Sequence, residues 1–306
     1  MTPPDVSVVV EWENAAWAGG ERARDALARL AAEVRASRRQ IEVLICHDED
    51  PPPDVRLEGV GLPSGWRMVR VTDSRYYELK NHGTAAAAGA IVAFLDSDAV
   101  PEPGWLDNLL APFDNPAVEV VAGHAYIQPD SLYAKAFALW WFFPLRAQPS
   151  PLAPAASFFA NNVAFRRATL LAHPFQPVAG TSRGACVELA ATLRAAGITI
   201  WKTADAQVAH PPPRGWRHFV LRALAQGRDR LAREAGWRAT PIGSVARLAR
   251  HLAGGAVATL RGRRTVGLSR AGVPAAIALC CAYYGLYFAG EAAALLGVPA
   301  VGRIRV

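Results

Sequence analysis

Apolar residues fall into short unbroken runs over the first two thirds of this chain and into longer helical stripes over the last third. Val6 to Val10 is a β-branched run, and Glu21 to Ser37 sets Leu27, Leu30, Ala31 and Val34 at helical spacing. Ile41 to Cys46 is the next run of strand length, followed by Trp66 to Val71 and Ala90 to Leu95. Strand, helix and strand in this order predict a right-handed βαβ unit with parallel strands. Runs that are apolar throughout, rather than alternating, belong to strands covered on both faces. Gly104 to Leu110 predicts a short helix, Val118 to Ala122 a strand, Arg183 to Ala196 an amphipathic helix and Ile198 to Lys202 a further strand. His210-Pro211-Pro212-Pro213 is a hard stop. Pro51 to Gly65 and Ala147 to Ala156 are loop-rich, and the second suits a loop that covers a substrate.

From Gly215 the pattern becomes helical, with Arg-studded stretches at Trp216 to Ala235 and Ser244 to Leu260. Gly272 to Gly290 has no charge and is bracketed by Arg270 and Glu291; its 19 residues meet the lower limit for a bilayer span. A buried core helix or an in-plane interfacial helix satisfies the same pattern. Arg261, Arg263, Arg264 and Arg270 precede this run, which places that side in the cytoplasm. The expected division is an α/β domain over 1–214 and a helical, basic and apolar extension over 215–306.

The formal net charge of +7 suggests nucleic-acid binding until the basic residues are located. Nearly all are Arg, with Lys only at 80, 135 and 202, and the excess lies after about residue 214 beside apolar stretches. That placement fits an anionic membrane surface, and no nucleic-acid partner is expected. Cys46, Cys186, Cys280 and Cys281 make no CxxC pair, so neither a disulfide framework nor a zinc site is expected. The first residues lack a charged leader pattern, so no secretory signal is expected.

The richest chemistry lies where the run from Ala90 ends in Asp96-Ser97-Asp98. Ligands of open α/β sheets bind at carboxyl ends of strands, and two acids there repel each other unless a cation or donors compensate. Three other strand or helix boundaries carry polar groups: Glu11-Trp12-Glu13-Asn14, His47-Asp48 and Lys80-Asn81. Val208-Ala209-His210 closes the series.

In this order the residues resemble the nucleotide-sugar-dependent glycosyltransferases of family 2, which have the GT-A fold. The resemblance covers roughly residues 5 to 213. It implies a mostly parallel, Rossmann-like central sheet flanked by helices, and inverting transfer of a sugar from a nucleotide-diphosphate sugar. The donor would be bound by Glu11, Asn14, Asp48, Lys80, Asn81 and Asp96, with Lys80 on the phosphates, Asp48 on the base and Asp96 on the ribose. Asp98 and His210 would hold Mn²⁺ or Mg²⁺, and the ion would neutralise the departing diphosphate. Asn161 and Asn162 fall in the family's acceptor-side segment. Trp140 and Trp141 sit in an aromatic stretch suited to an acceptor site, an interfacial element or core packing.

Two departures matter. Glu11-Trp12-Glu13-Asn14 replaces the usual Pro, aromatic and Asn of the first loop. Ala185 and Cys186 stand where the family carries Glu-Asp, whose carboxylate activates the acceptor hydroxyl. Glu188, one turn from Ala185, is the substitute base. The expected activity is sugar transfer to a glycan or lipid-linked acceptor, at the cytoplasmic side of a bacterial inner membrane. The C-terminal helix would anchor the chain or attach it peripherally. Two alternatives stay open: a non-catalytic membrane-associated binding protein of the same fold, and a sugar nucleotidyltransferase.

Overall fold

The β-branched run at the start of the chain becomes a strand buried at every position, β1 (Val6–Glu11). A computed structural model describes residues 4–49, 63–72, 74, 76–176, 178 and 181–304. After β1 come α1 (Ala15–Ala18), α2 (Gly20–Ala36), β2 (Ile41–His47), β3 (Trp66–Arg70), α3 (Tyr76–Ala86), β4 (Ile91–Asp96) and β5 (Val100–Pro101). The middle of the chain forms α4 (Trp105–Leu110), β6 (Val120–Ile127), α5 (Leu132–Trp140), β7 (Ala153–Pro154), β8 (Asn162–Arg166) and α6 (Arg167–Ala172). The last part forms α7 (Ala185–Ala195), β9 (Ile200–His210), α8 (Gly215–Leu231), α9 (Pro241–Gly262), α10 (Val273–Leu295) and α11 (Pro299–Gly302). Of the loop expected at Pro51 to Gly65, residues 51–62 lie outside the described residues.

The chain forms two compact units. One comprises Met1–Ala125, Arg146–Pro177 and Ala185–His210; the other comprises Tyr126–Leu145, Val178–Gly184 and Pro211–Val306. The α/β part and the helical part therefore do not meet at one cut in sequence. The aromatic segment after β6 and the short stretch before α7 belong with the C-terminal helices.

In the first unit, the described strands order as β3-β2-β1-β4-β8-β6-β9-β5, with β7 also on β9. The sheet is mixed: β3, β2, β1 and β4 run parallel, whereas β8 is antiparallel to β4, and β5 and β7 are antiparallel to β9. β9 extends eight residues beyond the strand expected from the run ending at Lys202. Pairing of Val208 and Ala209 with β5, a partner from a distant segment, accounts for the far end of this extension. One face of the sheet is covered by Leu79 of α3 and by Leu189 and Leu193 of α7, around Phe94, Phe158, Phe165 and Phe175. Strand order reverses at β1, which lies between β2 and β4 with all three strands parallel, and this switch point is where open α/β sheets leave a crevice.

In the second unit, α10 packs along α8 and α9, and α5 packs on α9 and α10. A Cβ on Gly227 would collide with the Tyr287 carbonyl, and one on Gly290 with the Leu224 carbonyl. Glycine at both places lets α8 and α10 touch backbone to backbone. Arg247 of α9 and Glu291 of α10 form a bidentate pair at 2.7 and 2.9 Å, both side chains buried.

Candidate active site

The two strands flanking the switch point end in acids that face each other. Glu11 closes β1, Asp96 closes β4, and the two are Cα partners in the ladder. Asn14 bridges them. Its side-chain amide donates to Glu11 Oε2 at 2.9 Å and to Asp96 Oδ2 at 3.0 Å, and its backbone N–H donates to Glu11 Oε1 at 3.0 Å.

Asp96 is the hub of this network. The Tyr76 hydroxyl donates to Oδ2 at 2.7 Å and lies 3.0 Å from Oδ1, while the Lys80 ammonium donates to Oδ1 at 2.6 Å. Lys80 is 0% exposed. Its ammonium sits 4.5 Å from the centre of the Tyr76 ring and 5.3 Å from that of Phe94, a cation–π arrangement. Tyr76 and Lys80 are one turn apart on α3, which puts both over the same carboxylate. Glu13 accepts the Tyr76 backbone N–H at 2.7 Å and so sets the start of that helix.

A carboxylate offers about four lone-pair sites, and three donors from within the protein, on Tyr76, Lys80 and Asn14, already engage Asp96. The structure therefore gives Asp96 other partners than the expected ribose hydroxyls. It likewise turns Lys80 inward, away from the expected diphosphate contact.

Asp98 follows in the turn after β4, 5% exposed, with Oδ2 3.5 Å from Nε2 of His210 at the end of β9. Two devices hold this pair together. β5 is antiparallel to β9, with Val100 opposite Ala209 and Pro101 opposite Val208. Arg22 of α2 donates through Nε to the Asp98 carbonyl at 3.0 Å and through a terminal nitrogen to the Ala209 carbonyl at 2.6 Å.

One ligand atom from each of Asp96, Asp98 and His210 lies within 4.8 Å of the others. Octahedral Mg²⁺ with bonds of about 2.1 Å separates its ligand atoms by roughly 3 to 4 Å. The 3.5 Å of the Asp98–His210 pair falls in that range. Carboxylate oxygen suits Mg²⁺ and Mn²⁺, and imidazole nitrogen suits divalent transition-metal ions. Asp98 and His210 thus fit a divalent cation, with Asp96 held beside them.

Several other expected site residues have structural partners instead. Asn81 donates to the Phe175 carbonyl at 2.8 Å and accepts the Phe175 N–H at 3.1 Å, so its amide clamps backbone rather than facing a donor. Asn162 is fully buried; it accepts from Trp105 Nε1 at 2.9 Å and donates to the Ala206 carbonyl at 2.9 Å. A Cβ on Gly123 would collide with it, so Asn162 is a core bridge between strands and not an acceptor group. Asn161 is buried, and its Oδ1 has no hydrogen-bond partner among the described residues. Trp140 and Trp141 belong to the aromatic interior of the second unit. Trp141 Nε1 donates to the Tyr283 hydroxyl at 3.0 Å, and the Trp140 carbonyl accepts from Tyr284 at 2.9 Å. Of the three readings of that aromatic segment, core packing is the one the structure supports.

Asp48 is exposed beyond the end of β2, next to the buried His47. Glu188 is exposed on the first turn of α7, at the edge of its buried face. Cys186 turns the other way and accepts from the Tyr77 hydroxyl at 3.5 Å. Burial pushes the Cys46 thiol up to about 12, against the lowering effect of the Lys80 charge. Sequence reasoning missed Tyr76 and Arg22. The one-turn spacing of Tyr76 and Lys80 was a usable signal, whereas nothing distinguishes Arg22 from its arginine neighbours on α2.

An α/β sheet with an acidic pair at its switch point, met by a histidine from its last long strand, defines the GT-A architecture of nucleotide-sugar-dependent glycosyltransferases. The chain belongs to glycosyltransferase family 2: the family model "Glycosyl transferase family 2" matches residues 20–173, about half of the chain. Over 153 residues it is 29% identical to the pre-mycofactocin glycosyltransferase of Mycobacterium tuberculosis, in strains CDC 1551 and H37Rv alike. That match takes in 49% of this chain and 30% of the relative, so the chain matches under a third of those relatives' length. Among solved structures, the mannosyltransferase PcManGT of Pyrobaculum calidifontis, in complex with GDP-Man and Mn²⁺, is similar in fold at a TM-score of 0.56. The similarity covers 97% of this chain and 89% of that one at 17% identity. GalNAc-T7 with UDP, GalNAc and Mn²⁺ is similar at a TM-score of 0.51, over 77% of this chain and 52% of its own, at 12% identity.

Proposed function

We propose that this chain is an inverting, metal-dependent glycosyltransferase that moves a sugar from a nucleotide-diphosphate sugar to a glycan or lipid-linked acceptor. The observation that carries the reading is the Asp98–His210 pair at the switch point, tied from two sides by β5 and Arg22. Asp98 and His210 would hold Mn²⁺ or Mg²⁺, whose chemistry there is Lewis-acid neutralisation of charge on the departing diphosphate. The Mn²⁺ and nucleotides bound to PcManGT and GalNAc-T7 support that assignment.

The remaining roles belong to this chain's own side chains. Asp96, held by Lys80, Tyr76 and Asn14, fixes the end of β4 and so aims Asp98. Asp48, exposed at the end of β2, is the group available to a base edge. Glu188 accepts the proton of the attacking hydroxyl, which a single in-line displacement requires. The work takes place at the cytoplasmic face of a bacterial inner membrane, with the C-terminal helices making the attachment; α10 is long and apolar enough to reach a bilayer.

A panel of nucleotide sugars with Mn²⁺, read by thermal unfolding, tests the donor site. A ligand at 100 times its Kd stabilises by about 2.7 kcal/mol, a shift easily seen. Asp98→Ala should abolish the metal-dependent part of the shift. An unchanged shift in that variant would remove the metal assignment. A second reading, binding without catalysis, draws on Ala185 and Cys186 at the positions of the family's acidic pair. Donor binding without turnover on any acceptor would favour it.

A further inference from the structure

Helix α9 is built inside out. Its buried positions include Ser244, Arg247 and Thr259, whereas Ile242, Val245, Ala249, Ala253, Val257 and Leu260 all face outward. Exposure is 78% at Ile242 and 57% at Leu260. At 100° per residue these six fall within one arc of the helix, which makes a continuous apolar stripe. Arg250 and Arg261, three turns apart, lie together along one edge of that arc. The exposed residues of the neighbouring helix α10 are uncharged and mostly small, among them Ala278, Cys281, Ala282 and Gly285, while Tyr283, Tyr287 and Glu291 point inward.

Charge selects the kind of surface that covers this stripe. Between Glu234 and Glu291 the sequence has no acidic residue and seven arginines, at 238, 247, 250, 261, 263, 264 and 270. A small cavity beside the start of α9 is lined by Arg230, Glu234, Trp237, Arg238, Arg247 and Arg250. Arg230 is paired with Glu234 and Arg247 with Glu291, so Arg238 and Arg250 add positive charge beyond those pairs. An apolar stripe edged with arginines, in a segment without acids, complements an anionic bilayer surface.

The same packing decides orientation. α10 lies along α8, which carries Arg217, Arg222, Arg228, Asp229 and Arg230. If α10 crossed the bilayer, α8 would bring those charges into hydrocarbon, where they are strongly disfavoured. We propose that α9 and α10 lie in the plane of an anionic membrane surface, with the stripe Ile242 to Leu260 inserted and Arg250 and Arg261 at headgroup level. This rests on the membrane reading above and is independent of the sugar chemistry.

The test is co-sedimentation of the full chain with vesicles of phosphatidylcholine alone, and with about a third phosphatidylglycerol added. Binding should require the anionic lipid, weaken with salt and be reversed by alkaline carbonate. Each arginine near an anionic surface is worth about fivefold in partition, so Arg250→Ser with Arg261→Ser should weaken binding roughly 30-fold. Ile242→Asp should remove binding without changing the unfolding midpoint, since the site is exposed; Val257→Asp is a second variant of the same kind. Resistance to carbonate would mean α10 spans, overturning the in-plane arrangement while leaving membrane attachment intact. A folded chain that ignores both vesicle types overturns attachment as well. If the Ile242→Asp change instead abolishes self-association, the stripe meets a second copy of the chain and the lipid assignment fails.

Discussion

Replacing Lys80 with methionine separates two roles for that residue. The ammonium is fully buried and donates to a carboxylate that is also buried, at 2.6 Å. Removing one partner of such a pair leaves the other charge uncompensated, at a typical cost of about 3–5 kcal/mol. Here Asp96 keeps its donors from Tyr76 and Asn14, and charge-assisted bonds of that sort contribute roughly 1.5–3 kcal/mol each. The expected loss is therefore near the low end, about 3 kcal/mol. For a unit of this size that corresponds to a fall in midpoint of roughly 6–12 °C by circular dichroism. Asp96→Asn added to Lys80→Met should recover much of it, because position 96 then no longer carries the charge that Lys80 compensated. An unchanged midpoint combined with a large loss of nucleotide affinity would refute the reasoning, and would return Lys80 to the diphosphate.

Arg22→Met should weaken Mn²⁺ binding, measured by electron paramagnetic resonance, about tenfold or more, as loss of outer support to metal ligands typically does. Metal-free nucleotide binding should change little; equal losses in both would mean that Arg22 only stabilises the fold. Glu188→Gln should lower turnover at least a hundredfold with donor affinity retained, the usual contribution of a general base; an unchanged rate places the base elsewhere. Burial holds Cys46 protonated up to about 12, against an ordinary value near 9. The unfolded chain loses that proton first as pH rises, so this thiol's contribution to stability falls above pH 9. Between pH 9 and 11 the midpoint should therefore drop more steeply in the wild type than in Cys46→Ala; parallel profiles would contradict the assignment.

The sheet and the ends of its strands were legible because they rest on local pattern. Unbroken apolar runs ending in Glu11 and Asp96 mark both the strands and their carboxyl ends, whereas the strand ending in His210 is interrupted by Lys202, Asp205 and Gln207. What a polar residue does at such an end is a tertiary matter. Asn81 and Asn162 have the composition of binding groups, yet their partners Phe175 and Ala206 lie 94 and 44 positions away, and only the fold brings them together. Lys80 stands out as one of three lysines, but its contact with Asp96 is tertiary, since its depth below Tyr76 depends on how α3 seats over β4. The antiparallel half of the sheet was hidden for a related reason: β5 and β7 are two residues each and carry no periodicity. The inside-out polarity of α9 has the period of any amphipathic helix, and nothing local reveals which face turns inward.

Arg22 joins the beginning of the chain to its last long strand, reaching a carbonyl 187 positions away. Contacts of that separation form late, because the loop they close must first lose its conformational freedom. The Asp98–His210 pair therefore has a place in time as well as in space. A chain emerging from the ribosome completes β1, β2 and β4 well before His210 exists, and in that interval Asp98 lacks its partner. On the proposed metal assignment, competence to hold an ion would arrive only once β9 is seated, and ion binding by this unit would then report that β9 is in place.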